Sequence, residues 1–264
     1  MPIALPDSLI ADTSAGTARL ILNRPEKHNV IDHDMWCGIA TAMQAFSADE
    51  GVRVVVVTGA GDRAFSAGAD ISEFERKREG DTADAYNRAT ADAHSALRHC
   101  PKPTIAQIGG YCIGGGLGIA LACDLRIAAD DARFGIPAAR LGLGYDYASL
   151  QVLVSVVGPA AAKDIMFTAR RFGAAEAAAI GLVNQVVAPG ELATTVAEYA
   201  RMIAANAPLT VRASKRIVTE VLKDADARDR ALCERLVAEC FASADYVEGR
   251  RAFMEKRAPR FQGH

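Results

Sequence analysis

The chain is predicted to fold as an α/β protein with a largely parallel sheet, followed by a helical C-terminal part. Three observations carry this reading. Apolar, β-branched runs alternate with helix-period segments up to about residue 190. Beyond that point only helical spacing remains. Half of the 264 residues are hydrophobic, enough to bury a full core in one large or two small domains. Strands separated by helices imply crossover connections and therefore parallel pairing.

Taken in order, Arg19-Leu20-Ile21-Leu22 and residues 52–58 are strand candidates bounded by turn residues. Met35, Ile39, Met43 and Phe46 share one face of a helix over 35–46. A second helix over 83–98 closes at His99-Cys100-Pro101, where proline forbids continuation. Residues 104–108 form a buried strand, Gly109-Gly110 turns the chain, and residues 119–123 are an apolar helix. Residues 125–128 and 183–187 complete the strands, and helices over 191–206, 208–222 and 228–243 follow. No Pro/Gly/Ser linker precedes them, so this region packs on the core or on a neighbouring copy.

Thirty Lys and Arg against 32 Asp and Glu leave a net charge of −2, which argues against a nucleic-acid partner. Disordered, collagen-like and small disulfide-framework classes are excluded by the same composition. The cysteines at 37, 100, 112, 123, 233 and 240 contain no CxxC and lack a nearby histidine pair, so no metal site is expected. Buried, reduced thiols of a cytoplasmic protein are the expectation. The opening Met1-Pro2-Ile3 has no basic segment before a long apolar one, so no secretory signal is expected. Residues 104–123 are uncharged over the length of a membrane span, but six glycines, Gln107 and Tyr111 interrupt them. A strand, a turn and a helix fit better, and no membrane partner is expected.

Three glycine-rich segments are candidate ligand turns. Gly59-Ala60-Gly61-Asp62-Arg63-Ala64 matches a loose dinucleotide pattern. That pattern needs a helix opening at the glycines, whereas a second small-residue turn follows here, so it reads as a plain turn. The other two segments are Ala64-Phe65-Ser66-Ala67-Gly68-Ala69-Asp70 and Gly114-Gly115-Gly116-Leu117-Gly118, the latter directly before the apolar helix. Amides at a helix start lack intrahelical acceptors and carry the positive end of the dipole. Facing each other, the two turns would form an oxyanion hole; equally, glycine there serves tight helix–strand packing. His28, His33, His94, His99 and His264 show no recurring partner spacing and read as surface or satisfied histidines. Nothing in the spacing supports a triad of Ser66, Asp70 and His94.

An ordered set of motifs carries a resemblance. It comprises Asn23-Arg24-Pro25 with Asn29, the segment Ala64 to Ile71, Lys102-Pro103, Gly110-Tyr111-Cys112-Ile113-Gly114-Gly115-Gly116 and Cys123-Asp124-Leu125-Arg126-Ile127-Ala128. Phe134-Gly135-Ile136-Pro137, residues 174–184 and Phe253-Met254-Glu255-Lys256-Arg257 extend it over nearly the whole chain. The chain resembles the enoyl-CoA hydratase/isomerase (crotonase) superfamily. The resemblance implies a core of ββα spiral turns over residues 1–190 and a helical trimerisation region over 191–264. It further implies an acyl-CoA thioester ligand, no cofactor beyond the coenzyme A of the substrate, and a homotrimer or hexamer. By position, the amides of Ala69 and Gly115 would hold the thioester oxygen of an enolate or tetrahedral intermediate. Ala67, Asp70, Ile71, Gly114 and Pro137 would flank the substrate. Arg24, Lys27 and the basic cluster of Arg250, Arg251, Lys256, Arg257 and Arg260 are candidates for the CoA phosphates, each equally readable as a solvated surface charge.

The departures from the family bear on the reaction. Hydratases position and deprotonate water with two glutamates, and this chain has Gly118 and Ala138 at those places. Neither can take a proton. Asp146 falls where dienoyl-CoA isomerases carry an acid and where chlorobenzoyl-CoA dehalogenase carries its nucleophile, and Tyr145 where methylmalonyl-CoA decarboxylase has a tyrosine. Both also read as an Asx-type turn with an exposed phenol. The expected function is therefore an acyl-CoA enzyme of this family working through an oxyanion-stabilised enolate. Isomerase, decarboxylase and dehalogenase-like chemistry using Asp146 and Tyr145 are alternatives, as is a catalytically silent acyl-CoA binder.

Overall fold

The computed structural model describes residues 3–73 and 81–264. Two sheets interleave along the chain. The larger contains β1 (Leu9–Ser14), β2 (Thr17–Leu22), β3 (Val54–Gly59), β5 (Thr104–Ile108), β7 (Leu125–Ala129) and β10 (Gln185–Val187), in spatial order β1-β2-β3-β5-β7-β10. All neighbours are parallel except the β1–β2 hairpin. The smaller contains β4 (Ala64–Ser66), β6 (Tyr111–Ile113), β8 (Arg133–Gly135) and β9 (Phe172–Gly173), in order β4-β6-β8-β9.

Sequence order shows the repeat. Strands β3 and β4 precede α2 (Asp81–Arg98), β5 and β6 precede α3 (Gly115–Ala122), and β7 and β8 precede α4 (Tyr147–Thr168). Each turn thus contributes one strand to each sheet before its helix. This is the ββα spiral that the resemblance implies.

The core explains the unbroken valine run. Val55 and Val57 belong to the main core, which also takes in Met35, Ile39 and Met43 of α1 (His33–Ala48), while Val54 and Val56 pack on Leu192, Val196 and Ala200 of α6 (Leu192–Ala204). In chain order, α5 (Ala174–Ala179) lies between α4 and α6. A strand covered on both faces needs no polar alternation. The change to all-helical structure near residue 190 is present, but the core does not divide there, because α6 covers one sheet face. Helices α7 (Pro208–Val221), α8 (Arg230–Ala242) and α9 (Ala244–Met254) follow. Their tail returns to the core: Arg53 donates to the carbonyls of Phe261 and Gln262, and Asp245 accepts from the amides of Gln262 and Gly263.

Arg126, only 6 % exposed, donates to the carbonyls of Ala120, Cys123 and Leu182, and so fastens the end of α3 to the chain entering β10. The Asp124 carboxylate accepts from the Thr104 amide and from Lys215. These contacts give the Cys123–Ala128 motif a structural role. Residues 104–123 form the expected strand and helix, β5 and α3, with β6 a second strand that the sequence reading did not separate. By length and composition α4 is apolar enough to cross a membrane. Its continuity is broken, however, at Gly158 (φ 74°, ψ 166°), just before Pro159.

Candidate active site

Asn29 organises the first wall of the site. It is fully buried with φ of 53°, a left-handed conformation that asparagine tolerates better than most residues. Its side-chain oxygen accepts from the Arg24 amide at 2.9 Å, and its amide nitrogen donates to the carbonyls of Ala60 (3.0 Å) and Ala64 (2.7 Å). One side chain thereby ties the 24–29 turn to both ends of the β3–β4 connection. Gly59 is required by the same packing, since a Cβ there would stand 2.3 Å from the Ala64 carbonyl oxygen and 2.6 Å from the Asn29 nitrogen. The chain then continues into strand β4, and no helix opens at these glycines. The dinucleotide pattern is a close-packed turn.

The next turn presents a free amide. Ile31 donates to the Gly68 carbonyl at 2.8 Å and accepts from the Asp70 amide at 2.9 Å, a parallel bridge centred on Ala69. In such pairing the central residue's own N–H points away from the partner strand. The Ala69 nitrogen lies 3.4 Å from where a Cβ on Gly115 would stand. Gly115 opens α3, so its amide has no intrahelical acceptor. Gly68 holds the two turns together: with φ of +100°, a Cβ would sit 2.9 Å from the Ile113 oxygen and 3.2 Å from the Gly115 nitrogen. A Cβ on Gly116 would meet the Ser66 carbonyl at 2.5 Å. Packing and amide presentation, read from the sequence as alternatives, are therefore served by adjacent glycines of one segment.

Arg24 and Asp70 support this turn. Arg24 Nη1 donates to the Val30 carbonyl at 3.3 Å and pairs with Asp32 and Asp70, each at 3.1 Å. Asp70 Oδ1 accepts from the amide and hydroxyl of Ser72. Burial acts to raise the Asp70 carboxyl, yet the hydrogen bonds from Ser72 and the Arg24 guanidinium hold it below the ordinary range. Asp32 in turn caps α1 by accepting from the Met35 amide. Ala67 is half-buried and donates to the His28 carbonyl, while Ile71 and Lys27 are exposed. Gly114 donates to the Gly135 carbonyl, and Pro137 lies beside it, with Cδ 3.8 Å from a Gly114 Cβ position. In the basic C-terminal cluster, Arg257 is paired with Glu248 and Glu255, and Arg250 lies over the Tyr246 ring.

The remaining candidates are Gly118, Ala138, Tyr145 and Asp146. Ala138 is buried at 4 % exposure, whereas Gly118 is partly open. Asp146 is the N-cap of α4: one carboxylate oxygen accepts from the Ser149 amide at 2.9 Å, the other from its hydroxyl at 2.7 Å. Burial acts to raise this carboxyl, but the Ser149 hydrogen bonds, helped by nearby His94, keep it below its usual value. Tyr145 is half-buried against the main core, not an exposed phenol.

The structure corrects the reading of His94 as a surface or satisfied histidine. Its Nε2 is buried without a hydrogen-bond partner. The ring stands edge-on to Trp36 at 5.3 Å between centroids, and its Nε2 lies 3.0 Å from where a Cβ on Gly118 would be. Trp36 also lies against the start of α3, with Cζ2 3.3 Å from a Gly115 Cβ position, and donates from Nε1 to the Tyr86 hydroxyl. Burial, assisted by Arg98, pushes the His94 pKa down to about 4 against the opposing pull of Asp146. No spacing rule links residues 36, 94 and 118. The local signal is a histidine inside an amphipathic helix.

Comparison with known proteins decides the family. The enoyl-CoA hydratase/isomerase family pattern matches residues 12–264. The chain belongs to that family. Crotonyl-CoA hydratase of Syntrophomonas wolfei is 35% identical over 255 residues, covering 97% of this chain and 98% of that protein. Carnitinyl-CoA dehydratase of Salmonella arizonae is 36% identical over 266 residues, covering 98% and 100%. Among solved structures, an enoyl-CoA hydratase/carnitine racemase from Magnetospirillum magneticum superposes with a TM-score of 0.94 at 37% identity, covering 98% of this chain and 97% of that one. An enoyl-CoA hydratase from Bacillus anthracis gives 0.92 at 30% identity, covering 98% and 100%. The spiral of this family member is the crotonase fold.

Proposed function

We propose that this hydratase/isomerase family member binds an acyl-CoA thioester and stabilises its enolate with the amides of Ala69 and Gly115. The observation that carries the proposal is the close approach of the two turns, with the Ala69 nitrogen 3.4 Å from a Gly115 Cβ position and glycine packing locking both segments. Negative charge develops on the thioester oxygen when a proton or carbon dioxide leaves the α-carbon and the electron pair stays behind. Preorganised donors aimed at that oxygen act without reorganising during the reaction. The names of related proteins, a crotonyl-CoA hydratase and a carnitinyl-CoA dehydratase, support the thioester class.

With Gly118 and Ala138 in place of carboxylates, the reading is isomerisation, decarboxylation or another proton-shifting reaction in place of conventional hydration. Asp146 and Tyr145 are the side chains that the sequence singles out for the proton. The proposed reaction takes its coenzyme A with the substrate and uses no separate cofactor. Exposed Lys27 is the candidate for a CoA phosphate, Arg24 being held by two carboxylates. Six free thiols support a reducing, cytoplasmic setting.

A homotrimer or hexamer is supported by the apolar side chains exposed on the C-terminal helices. Leu222, Phe253 and Met254 are 68%, 83% and 80% exposed in one chain. Light scattering is expected to return a mass of three or six chains.

Mass spectrometry of crotonyl-, dienoyl-, malonyl-type and aryl-CoA thioesters incubated with the protein in heavy water tests the activity. Deuterium uptake or a mass change is the expected result. A silent acyl-CoA binder is the second reading, favoured by the engagement of both Asp146 oxygens with Ser149. It predicts binding by calorimetry with every thioester returned unchanged.

A further inference from the structure

Within the described residues, two buried side-chain nitrogens lack a hydrogen-bond partner, His94 Nε2 and Arg98 Nε, one turn apart on α2. An unsatisfied buried polar atom costs about 1–3 kcal/mol, so its persistence calls for a reason. For His94 the surroundings supply one. Its Nε2 stands over Gly118, three residues along α3 from Gly115 and therefore on the same helix face. Three residues of helix rise about 4.5 Å, comparable to the reach of an acyl chain from its thioester carbon to the γ-carbon. Glycine at 118 makes room for the ring, since a Cβ there would stand 3.0 Å from Nε2 and 3.2 Å from Cε1. The imidazole thus occupies the space into which a residue-118 side chain would project.

We propose that His94 is the proton-transferring catalytic residue of this site, acting through Nε2 on an acyl-CoA thioester held by the Ala69 and Gly115 amides. The proposal rests on the acyl-CoA reading above. In the step, the Cα–H bond of the thioester breaks and its proton passes to Nε2. The electron pair delocalises onto the thioester oxygen between the two amides. Return of the proton to Cα regenerates the substrate, and its return to Cγ of a β,γ-unsaturated chain moves the double bond into conjugation. No oxidant or second reactant is needed. Burial and the Arg98 cation keep the imidazole neutral and able to accept, while the Asp146 carboxylate favours the imidazolium once formed. The indole of Trp36, edge-on to the ring, fixes its plane.

The test uses the full-length protein with vinylacetyl-CoA in heavy water, read by conversion to crotonyl-CoA and by deuterium incorporation, with acyl-CoA binding followed by calorimetry. Wild-type protein is expected to bind, isomerise and incorporate deuterium. In His94→Gln the rate is expected to fall about 100-fold or more, the range for loss of a general acid–base group, with binding retained. Gly118→Ala places a methyl group against Nε2 and is expected to slow exchange at least about tenfold. It also serves as the independent variant if His94→Gln does not fold. A rate within twofold of wild type in either folded variant overturns the assignment of His94 and leaves the acyl-CoA reading standing. Wild-type binding without exchange also overturns the assignment, and points to the silent binder. Absence of any thioester binding to wild type overturns the acyl-CoA reading itself, and His94 falls with it.

Discussion

The two walls of the proposed site, the amide pair and the proton-handling side chains, are built from different materials. The first is backbone: the amides of Ala69 and Gly115 are positioned by the Ile31 bridge, by the Asn29 hydrogen bonds and by glycines whose replacement would drive Cβ atoms into carbonyl oxygens. The second is side chain: His94 comes from α2, Asp146 caps α4 and Tyr145 leans on the core. Backbone donors survive almost any change that preserves the turn, whereas side-chain groups are lost with one substitution. The proposed function rests on this contrast: it keeps the amide pair and reads Gly118 and Ala138 as standing where the resemblance places the hydratase glutamates.

The most disruptive way to break the contrast is Gly68→Ala. The new methyl meets the Ile113 carbonyl at 2.9 Å from a backbone with φ of +100°, so the two turns must separate. We expect turnover to fall about 100-fold or more, as for loss of an oxyanion donor, with about 1–3 kcal/mol of stability lost. Steady-state kinetics alongside chemical denaturation checks this, and a variant with normal turnover would mean that the amide pair is not the reactive locus.

Next comes the pH dependence contributed by His94. Its folded-state pKa of about 4 lies below the ordinary 6.5, so the unfolded chain binds the extra proton first as pH falls. The stabilisation is complete above pH 6.5 and is lost progressively between 6.5 and 4, by up to about 3 kcal/mol. Unfolding free energies of His94→Gln measured across that window are expected to decline less than those of wild type. Parallel curves would show that the imidazole is not held neutral.

A smaller effect separates the two roles of Asp146. Asp146→Ala removes the cap and is expected to cost about 1 kcal/mol, whereas Asp146→Asn preserves a competent N-cap at little cost. Turnover lost in Asp146→Asn at unchanged melting temperature would assign the charge to chemistry. Unchanged turnover there and in Tyr145→Phe would leave both residues structural. Least disruptive is Lys27→Gln, expected to raise KM for the CoA thioester a fewfold through loss of one exposed charge, with kcat unchanged. Arg24→Gln should instead lower the melting temperature, because its guanidinium joins the Asp70 turn to the cap of α1.

Legibility followed the range of the interactions. The strand over residues 54–57 was evident because burial on both faces selects an unbroken β-branched run. Strands β4, β6 and β8 were not, since three residues cannot display a period of two. The helix α4 escaped because Gly158 and Pro159 punctuate it and its apolar residues do not gather on one stripe. Site residues behaved in the same way. The glycine turns announce themselves locally through residues that tolerate close approach. His94 does not, because what distinguishes it is a contact with Gly118 and Trp36 from other segments.

Composition, hydrophobic periodicity and glycine placement by themselves determined the α/β class and the two glycine-rich turns, because each depends on short-range backbone preferences, while the ββα spiral followed from the family resemblance of the ordered motifs. Only the tertiary structure decided that the first helix after residue 190 seals a sheet face, that Arg24 is held between two carboxylates, and that a histidine fills the space beside Gly118. Those outcomes depend on which surfaces meet when α2, α3 and α6 close over the sheets, and burial of an unpaired nitrogen is visible only once its neighbours are in place.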